Sequence, residues 1–303
     1  MEECDKNQMP EPMPSRSGAR WGQERRLEFI DYRLAWDTQL NRSDLTTFFG
    51  ISVPQASLDL AEYAKRAPGN LDYDPRTRAY RASPTFQAAF PASDVERYLG
   101  DLARAAQTPE VPYGSFLGDH PAVAYVPRPW RRADSDTVLA VSNAIRRHEA
   151  LIISYQSLSQ TGPKMRSVSP HAMVSDGFRW HFRAYCHTND DYRDFVLARV
   201  TAISGSTTDQ DRQPYDSAWH QLVALVLAPH PDLPPAHRSV VERDYGMVDG
   251  TRVLECRQAV VFYVLKQLGL DREADPWRTP GEQQIVLQNR CDILGFLPKT
   301  NVR

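Results

Sequence analysis

A multidomain α+β fold is what this 303-residue sequence predicts, and three observations predict it. Helix-period runs with cap signals crowd into residues 21–107, strand-like alternation takes over between 151 and 200, and the remainder mixes an apolar strand with short helical patterns. The length agrees, because at roughly 100–200 residues per domain the chain holds two or three. With 41% hydrophobic residues there is material for several cores, and the net charge of −2 excludes a generally basic coat, so contact with nucleic acid must come from local patches. No apolar run approaches the ~18 residues of a membrane span, and the N-terminus lacks a basic-then-apolar leader. A soluble, cytoplasmic protein that does not engage a membrane is expected. The four cysteines, Cys4, Cys186, Cys256 and Cys291, form no CxxC pair, which argues against a zinc cluster or disulfide framework. Neither a metal nor a cofactor is expected.

Residues 1–20 are rich in proline, serine and charge and read as a disordered tail. Residues 21–92 have the grammar of a helix-turn-helix with a wing. Ser43–Phe49 reads as a short helix with Ser43 as its N-cap, and Gly50 supplies the positive φ where it stops. Ser52-Val53-Pro54-Gln55 then matches a capping box opening a second helix, with Val53, Ala56, Leu60 and Tyr63 on the stripe facing the first. Pro54, Gln55 and Ser57 are left near its exposed N-terminal end, where such a helix reaches base edges in a major groove. Asn70–Arg81 alternates around a proline turn as a β-wing whose Arg76 and Arg78 are placed for phosphates or the minor groove. Arg42, Ser52, Pro54, Gln55, Ser57, Tyr73, Arg76 and Arg78 make up the candidate DNA-contacting set.

A helical linker is expected over 93–133. It starts with a helix to Gln107 that carries Val95, Tyr98, Leu99 and Leu102 on one side, and then breaks into proline-rich chain. The middle module, 134–207, opens with a helix to His148 and continues in four strand-like runs, Leu151–Ser157, Arg166–Val174, Arg179–Cys186 and Tyr192–Val200, a count that fits a small curved barrel. In the third run, alternation puts Arg179, His181, Arg183 and Tyr185 on one face and Trp180, Phe182 and Ala184 on the other. A face with two guanidiniums, an imidazole and a phenol predicts an anion site, a nucleotide or nucleic-acid phosphate above all. A purely structural role would instead pair Arg183 and Arg199 with Asp194 or Asp176 and bury His171 as a satisfied histidine. The remainder, 208–303, reads as an α+β module. Val223–Leu227 is a strand fit for a covered sheet or a subunit interface, with a helix near Ala259–Leu268 and a last strand near Gln284–Gln288.

Tyr155-Gln156-Ser157-Leu158-Ser159, Pro170-His171-Ala172, Gly177–Cys186 and Arg193–Arg199 closely resemble the WYL domain. Phe49–Leu60 with Pro68–Asp74 resembles the winged helix of WYL-domain transcriptional regulators, in the branch found beside bacterial phage-defence operons. The resemblance covers nearly all of the chain after residue 20. It implies an Sm-like, SH3-type barrel in the middle module and a C-terminal extension that mediates dimerisation. One departure is that the name-giving Trp-Tyr-Leu triplet stands here as Trp180-His181-Phe182. The family pattern puts the ligand pocket on Tyr155, Ser157, His171, Arg179, His181, Arg183 and Arg199, which suits bidentate phosphate binding with a tyrosine to stack on a base. The resulting expectation is a dimeric repressor that reads palindromic double-stranded operator DNA and answers to a nucleotide or single-stranded nucleic-acid ligand. A single-strand-binding accessory protein is the first alternative and a nucleotide-processing enzyme the second. No Walker loop, GxSxG elbow or HExxH motif supports catalysis, which leaves Cys186 paired with His171 as the remaining nucleophile candidate.

Overall fold

The computed structural model describes residues 16–108, 115–129, 131–207, 213–272 and 278–297, with side chains from 22 onward. Residues 1–15 of the expected tail, with Cys4, lie outside these ranges, as do residues 109–114 and 130 of the expected linker. Two compact units divide the chain, Met1–Pro127 and Arg128–Arg303.

The first unit is built on α1 (Arg16–Asp37), which starts inside the stretch read as tail and buries Leu27, Ile30 and Leu34 along one stripe. After it come β1 (Gln39–Leu40), α2 (Arg42–Phe49), α3 (Val53–Arg66), β2 (Leu71–Asp74), β3 (Ala79–Ala82), a 3-10 turn at Pro91–Ser93 and α4 (Val95–Gln107). The strands form an antiparallel sheet in the order β1-β3-β2. Two buried carboxylates tie the helices together. Asp31 accepts from Tyr63 Oη at 2.7 Å, Ser93 Oγ at 2.5 Å and the N–H groups of Ala89 and Phe90 at 3.1 and 3.2 Å. Asp59 is held by Arg26 through Nε at 2.6 Å and Nη2 at 3.2 Å. Each joins α1 to α3, and such fully satisfied networks fix one helix arrangement among those a greasy core would tolerate. On α4 the expected apolar side splits: Leu102 is buried, while Val95 and Leu99 are 50% and 57% exposed.

In the second unit, α5 (Ser135–Arg147) is capped by Asp134, which accepts from Thr137 N at 2.9 Å, and ends on His148 at φ 56°. It packs Val141 and Ala144 against a five-stranded antiparallel sheet of β4 (Ala150–Tyr155), β5 (Lys164–Ser175), β6 (Trp180–Cys186), β7 (Asp191–Val196) and β8 (Val200–Thr207). The sequence pattern predicts four strands because the run Tyr192–Val200 spans two, parted by a 3-10 turn at Leu197–Arg199. The order is β7-β6-β5-β4-β8, with register shifts in β4–β8 and β5–β6 that bend it. Among the described residues no pairing joins β7 to β8. Trp180 stands 47% exposed at the start of β6 and does not fill the core as alternation predicts, whereas Phe182, Ala184 and Cys186 do.

The third module begins with α6 (Ser217–His220) and adds β9 (Leu222–Pro229), α7 (Pro235–Asp244), β10 (Arg252–Arg257), α8 (Val261–Gln267), β11 (Ile285–Leu287) and α9 (Arg290–Ile293). β9 lies between β10 and β11. Its inward residues Val223, Leu225 and Leu227 meet Val241, Val261 and Leu265 from the helices.

Candidate nucleic-acid interface and anion site

The helix pair forms as its local signals require, with three adjustments. The N-cap of α2 is Asn41 in place of Ser43, and the Asp44 carboxylate accepts the Asn41 N–H at 2.6 Å. Gly50, at φ 66°, closes the helix in the left-handed region where a side chain would be strained. Ser52 caps α3 by accepting from Gln55 N at 3.3 Å. The box is not reciprocal, since Gln55 Nε2 donates to Asp59 Oδ1 at 3.1 Å instead of the Gln55 side chain returning to Ser52. Ala56, Leu60 and Tyr63 are buried as expected, but Val53 is 58% exposed, and so is Leu58 at 64%. The front of α3 is therefore Val53, Pro54, Ser57 and Leu58. Ser57 Oγ donates back to Val53 O at 3.1 Å and keeps its lone pairs free. Leu58 is absent from the sequence-based set although its signal is there: it lies two residues from both Ala56 and Leu60, hence across the helix from the buried stripe.

In the wing, Asp74 Oδ1 accepts from Arg76 N at 2.9 Å and Thr77 N at 3.4 Å, and Arg78 takes φ 56° to bring the chain back. Arg76 and Arg78 are exposed and have no ion pair among the described residues. Arg42 donates Nη2 to Tyr80 Oη at 2.6 Å and lies over the rings of Tyr73 and Tyr80 at 5.9 and 5.4 Å. It is thereby fixed at the base of the wing.

In the second unit, both guanidiniums of the β6 face, Arg179 and Arg183, are already paired. Arg183 makes a bidentate pair with Asp216, Nε–Oδ2 2.5 Å and Nη2–Oδ1 2.9 Å, and a third contact from Nη1 to Asp194 Oδ1 at 3.2 Å. His171 Nε2 lies 3.0 Å from the same Asp216 Oδ2, with its ring edge-on to Tyr192 and Trp219. His171 reaches that side because it is the extra residue of a bulge: Pro170 pairs with Ala184 and Ala172 with Arg183. Asp216 also caps α6 through Trp219 N at 3.2 Å, and Arg257 on β10 donates to Trp219 O at 2.7 Å. A carboxylate from the third module thus occupies the middle module's guanidinium fork.

The other predicted pocket residues are dispersed. Tyr155 is in the core, its Oη accepting from Val196 N at 3.1 Å and its ring edge-on to Phe195. Ser157 lies beyond the end of β4 and meets Ser159 Oγ at 3.0 Å. Arg199 is in the 3-10 turn with no side-chain ion pair among the described residues. Arg179 bonds Asp176 at 2.9 Å, and Tyr185 reaches Asp190 at 3.4 Å. His181 is 1% exposed with both ring nitrogens unpartnered. It is covered by the Tyr263 ring at 4.6 Å and is 4.0 Å from Asp194 Oδ2, too far for a hydrogen bond. Cys186, on the core face, donates to Asn189 Oδ1 at 3.3 Å, so parity separates it from His181.

With this geometry in view, three family models match: the BrxR transcriptional regulator winged helix-turn-helix domain over residues 22–104, the WYL domain over 136–204 and the BrxR transcriptional regulator C-terminal dimerization domain over 222–293. The chain is 50% identical to the DNA-binding transcriptional repressor CapW of Escherichia coli, over 93% of this chain and 94% of that one. The chain belongs to the BrxR/CapW family of WYL-domain regulators. It is also 53% identical to the CapW repressor of Pseudomonas aeruginosa, over 92% of this chain and 93% of that one. A solved structure, proteasome accessory factor B/C of Arthrobacter aurescens, aligns with 96% of this chain and 51% of its own at 15% identity, with a TM-score of 0.24.

In this BrxR/CapW-family chain the pKa of buried His181 and of half-buried His171 is lowered, which favours the neutral imidazole at each. Burial lowers the His181 pKa more than the carboxylates of Asp194 and Asp176 raise it, and Arg179 and Arg183 add to the lowering. His171 is likewise lowered, first by burial, against the pull of Asp216. Burial alone would raise Asp216, but its bonds to Arg183 and Trp219 N hold it below the usual carboxylate range. A histidine with a depressed folded pKa binds fewer protons folded than unfolded, so its contribution is complete above its unfolded value of 6.5 and is lost as pH falls below it. The urea midpoint of the wild-type chain is expected to drop between about pH 7.5 and 5.5, and His181→Phe is expected to flatten that slope. A midpoint that holds or rises over the interval in the wild type would contradict neutral burial.

Proposed function

We propose that the chain is a dimeric transcriptional repressor that reads palindromic operator DNA through α3 and the wing, and that an anionic, nucleotide-like ligand of the WYL domain releases it. The observation that carries the reading is the exposed front of α3 beside a wing with two unpaired arginines, in a chain whose relatives bear the name of DNA-binding transcriptional repressors. Val53 and Leu58 suit thymine methyls, Ser57 a base-edge donor, and Arg42, Arg76 and Arg78 the phosphates. Gln55 reads a base only by releasing Asp59. The dimerisation module offers a sheet face for a second copy: Leu222, Ala224, Val226 and Ala228 on β9, with Val253 opposite Val226 on β10, point away from the core. A two-fold pair would present two winged helices to two half-sites. The genes controlled are those of a phage-defence operon, and the setting is the bacterial cytoplasm. Among the described residues no helix is long and apolar enough to cross a membrane.

Light scattering is expected to give about twice the chain mass of 34.5 kDa; a monomer at working concentration would remove the paired half-sites. Gln55→Ala is expected to relax discrimination at one base position by about 1–3 kcal/mol and leave the salt dependence unchanged. Unaltered binding to the operator and to all its single-base variants would assign readout to Val53, Ser57 and Leu58 alone.

A further inference from the structure

The Arg183 fork is filled by Asp216, so an incoming anion must find other cations. A cleft of about 270 Å³ lies between the β5–β6 turn and α8, lined by Asp176, Phe178 and Arg179 on one side, Tyr263, Lys266 and Gln267 on the other, and by Arg131 from the segment before α5. Arg179 is matched by Asp176. Arg131 and Lys266 are exposed and have no ion pair among the described residues, so two positive charges stand over the cleft unmatched. Phe178 is 51% exposed at its rim. Gly177, at φ 79°, lets the turn approach α8: a Cβ there would sit 3.0 Å from Gln267 Nε2. Gln267 Nε2 donates to Asp176 O, which leaves its Oε1 as an acceptor in the cleft.

We infer that this cleft binds a phosphorylated ligand carrying one planar ring system, of the size of a nucleoside monophosphate. Two exposed cations suit a phosphate dianion, a half-exposed phenyl ring suits stacking on a base, and the amide oxygen suits a base-edge donor. The volume lies just under the usual range of ligand clefts, which suits one nucleotide unit as the part held inside. The inference rests on the ligand-controlled reading above and relocates its site from the β6 face to the seam between the WYL domain and α8. A ligand there touches both modules, so it has differential contacts with which to shift them against each other.

The test is isothermal titration of the full-length protein with the ribonucleoside 5′-monophosphates, their unphosphorylated nucleosides, inorganic phosphate and a 5′-phosphorylated dinucleotide. At least one monophosphate is expected to bind, its nucleoside is not, and Arg131→Gln and Lys266→Gln are each expected to weaken binding about ten- to hundredfold. Phe178→Ala is expected to weaken the monophosphate and leave phosphate alone unaffected. Circular dichroism of the three exposed variants checks that they fold. A free nucleotide as the source is read from the monophosphate binding more tightly than the dinucleotide; the reverse order marks a strand terminus. No binding by any phosphorylated probe, or equal binding by the variants, overturns the site. Operator affinity separates the two readings. Binding in the cleft without a change in operator affinity keeps the site and sinks ligand control, while a nucleotide response that survives Arg131→Gln and Lys266→Gln keeps ligand control and sinks the site.

Discussion

Arg183→Ala is expected to destabilise the second unit by about 3–5 kcal/mol, read from the urea midpoint of the full chain. The substitution strands Asp216, a buried carboxylate that loses both guanidinium bonds and keeps only His171 and the α6 cap. The cost is mostly that of leaving one charge buried without its partner. Removing both, as Arg183→Met with Asp216→Leu, is therefore expected to cost less than Arg183→Ala alone, a non-additivity that marks a direct pair. The clasp also joins the WYL sheet to the third module, because Asp216 is the N-cap of α6 and Arg257 holds Trp219 from β10. A loss under about 1 kcal/mol, the range of exposed pairs, would mean that Arg183 is free in solution and available to an anion as the sequence suggests.

The largest effect on DNA is expected from Arg76→Ala with Arg78→Ala. Each wing arginine that neutralises a phosphate contributes about 0.9 to the slope of log K against log salt, so the double variant should lose about 1.8 units of slope. Each phosphate that is no longer neutralised weakens binding about fivefold at ~0.15 M salt, so the pair should weaken it roughly twenty- to thirtyfold, equally on operator and unrelated duplex. Neither side chain supports the fold, because the turn is pinned by Asp74 through backbone N–H groups. An unchanged slope would place the wing away from the DNA.

The winged helix is legible in the sequence because its signals are local. Gly50, Ser52 and the Ala56, Leu60 and Tyr63 stripe each act within a turn of the chain, and the structure forms them as read. The error there is also local: Asn41 and Ser43 are both good caps, and the choice of Asn41 is fixed by Asp44 reaching back. The anion face is legible only in its parity. Alternation puts His181 and Arg183 on the face opposite Phe182 and Cys186, but nothing near them in sequence announces Asp216, 33 residues beyond Arg183, or Tyr263 lying over His181. The bulge at His171 breaks period-two counting at the position where it matters, and Tyr155 looks like a pocket residue because its hydroxyl, which serves the Val196 N–H, has no sequence mark. The open cleft is illegible for the same reason, as Arg131, Arg179 and Lys266 converge only through tertiary structure.

The most direct test of the central claim is a gel shift of the purified protein on the DNA upstream of its own gene, with competitor DNA and a salt series, followed by footprinting. A discrete complex that resists competitor and protects two related half-sites about one or more helical turns apart is the predicted result. Absence of a specific duplex complex, with tight binding to single strands in its place, would contradict the repressor account and make the second unit the nucleic-acid-binding part of the molecule.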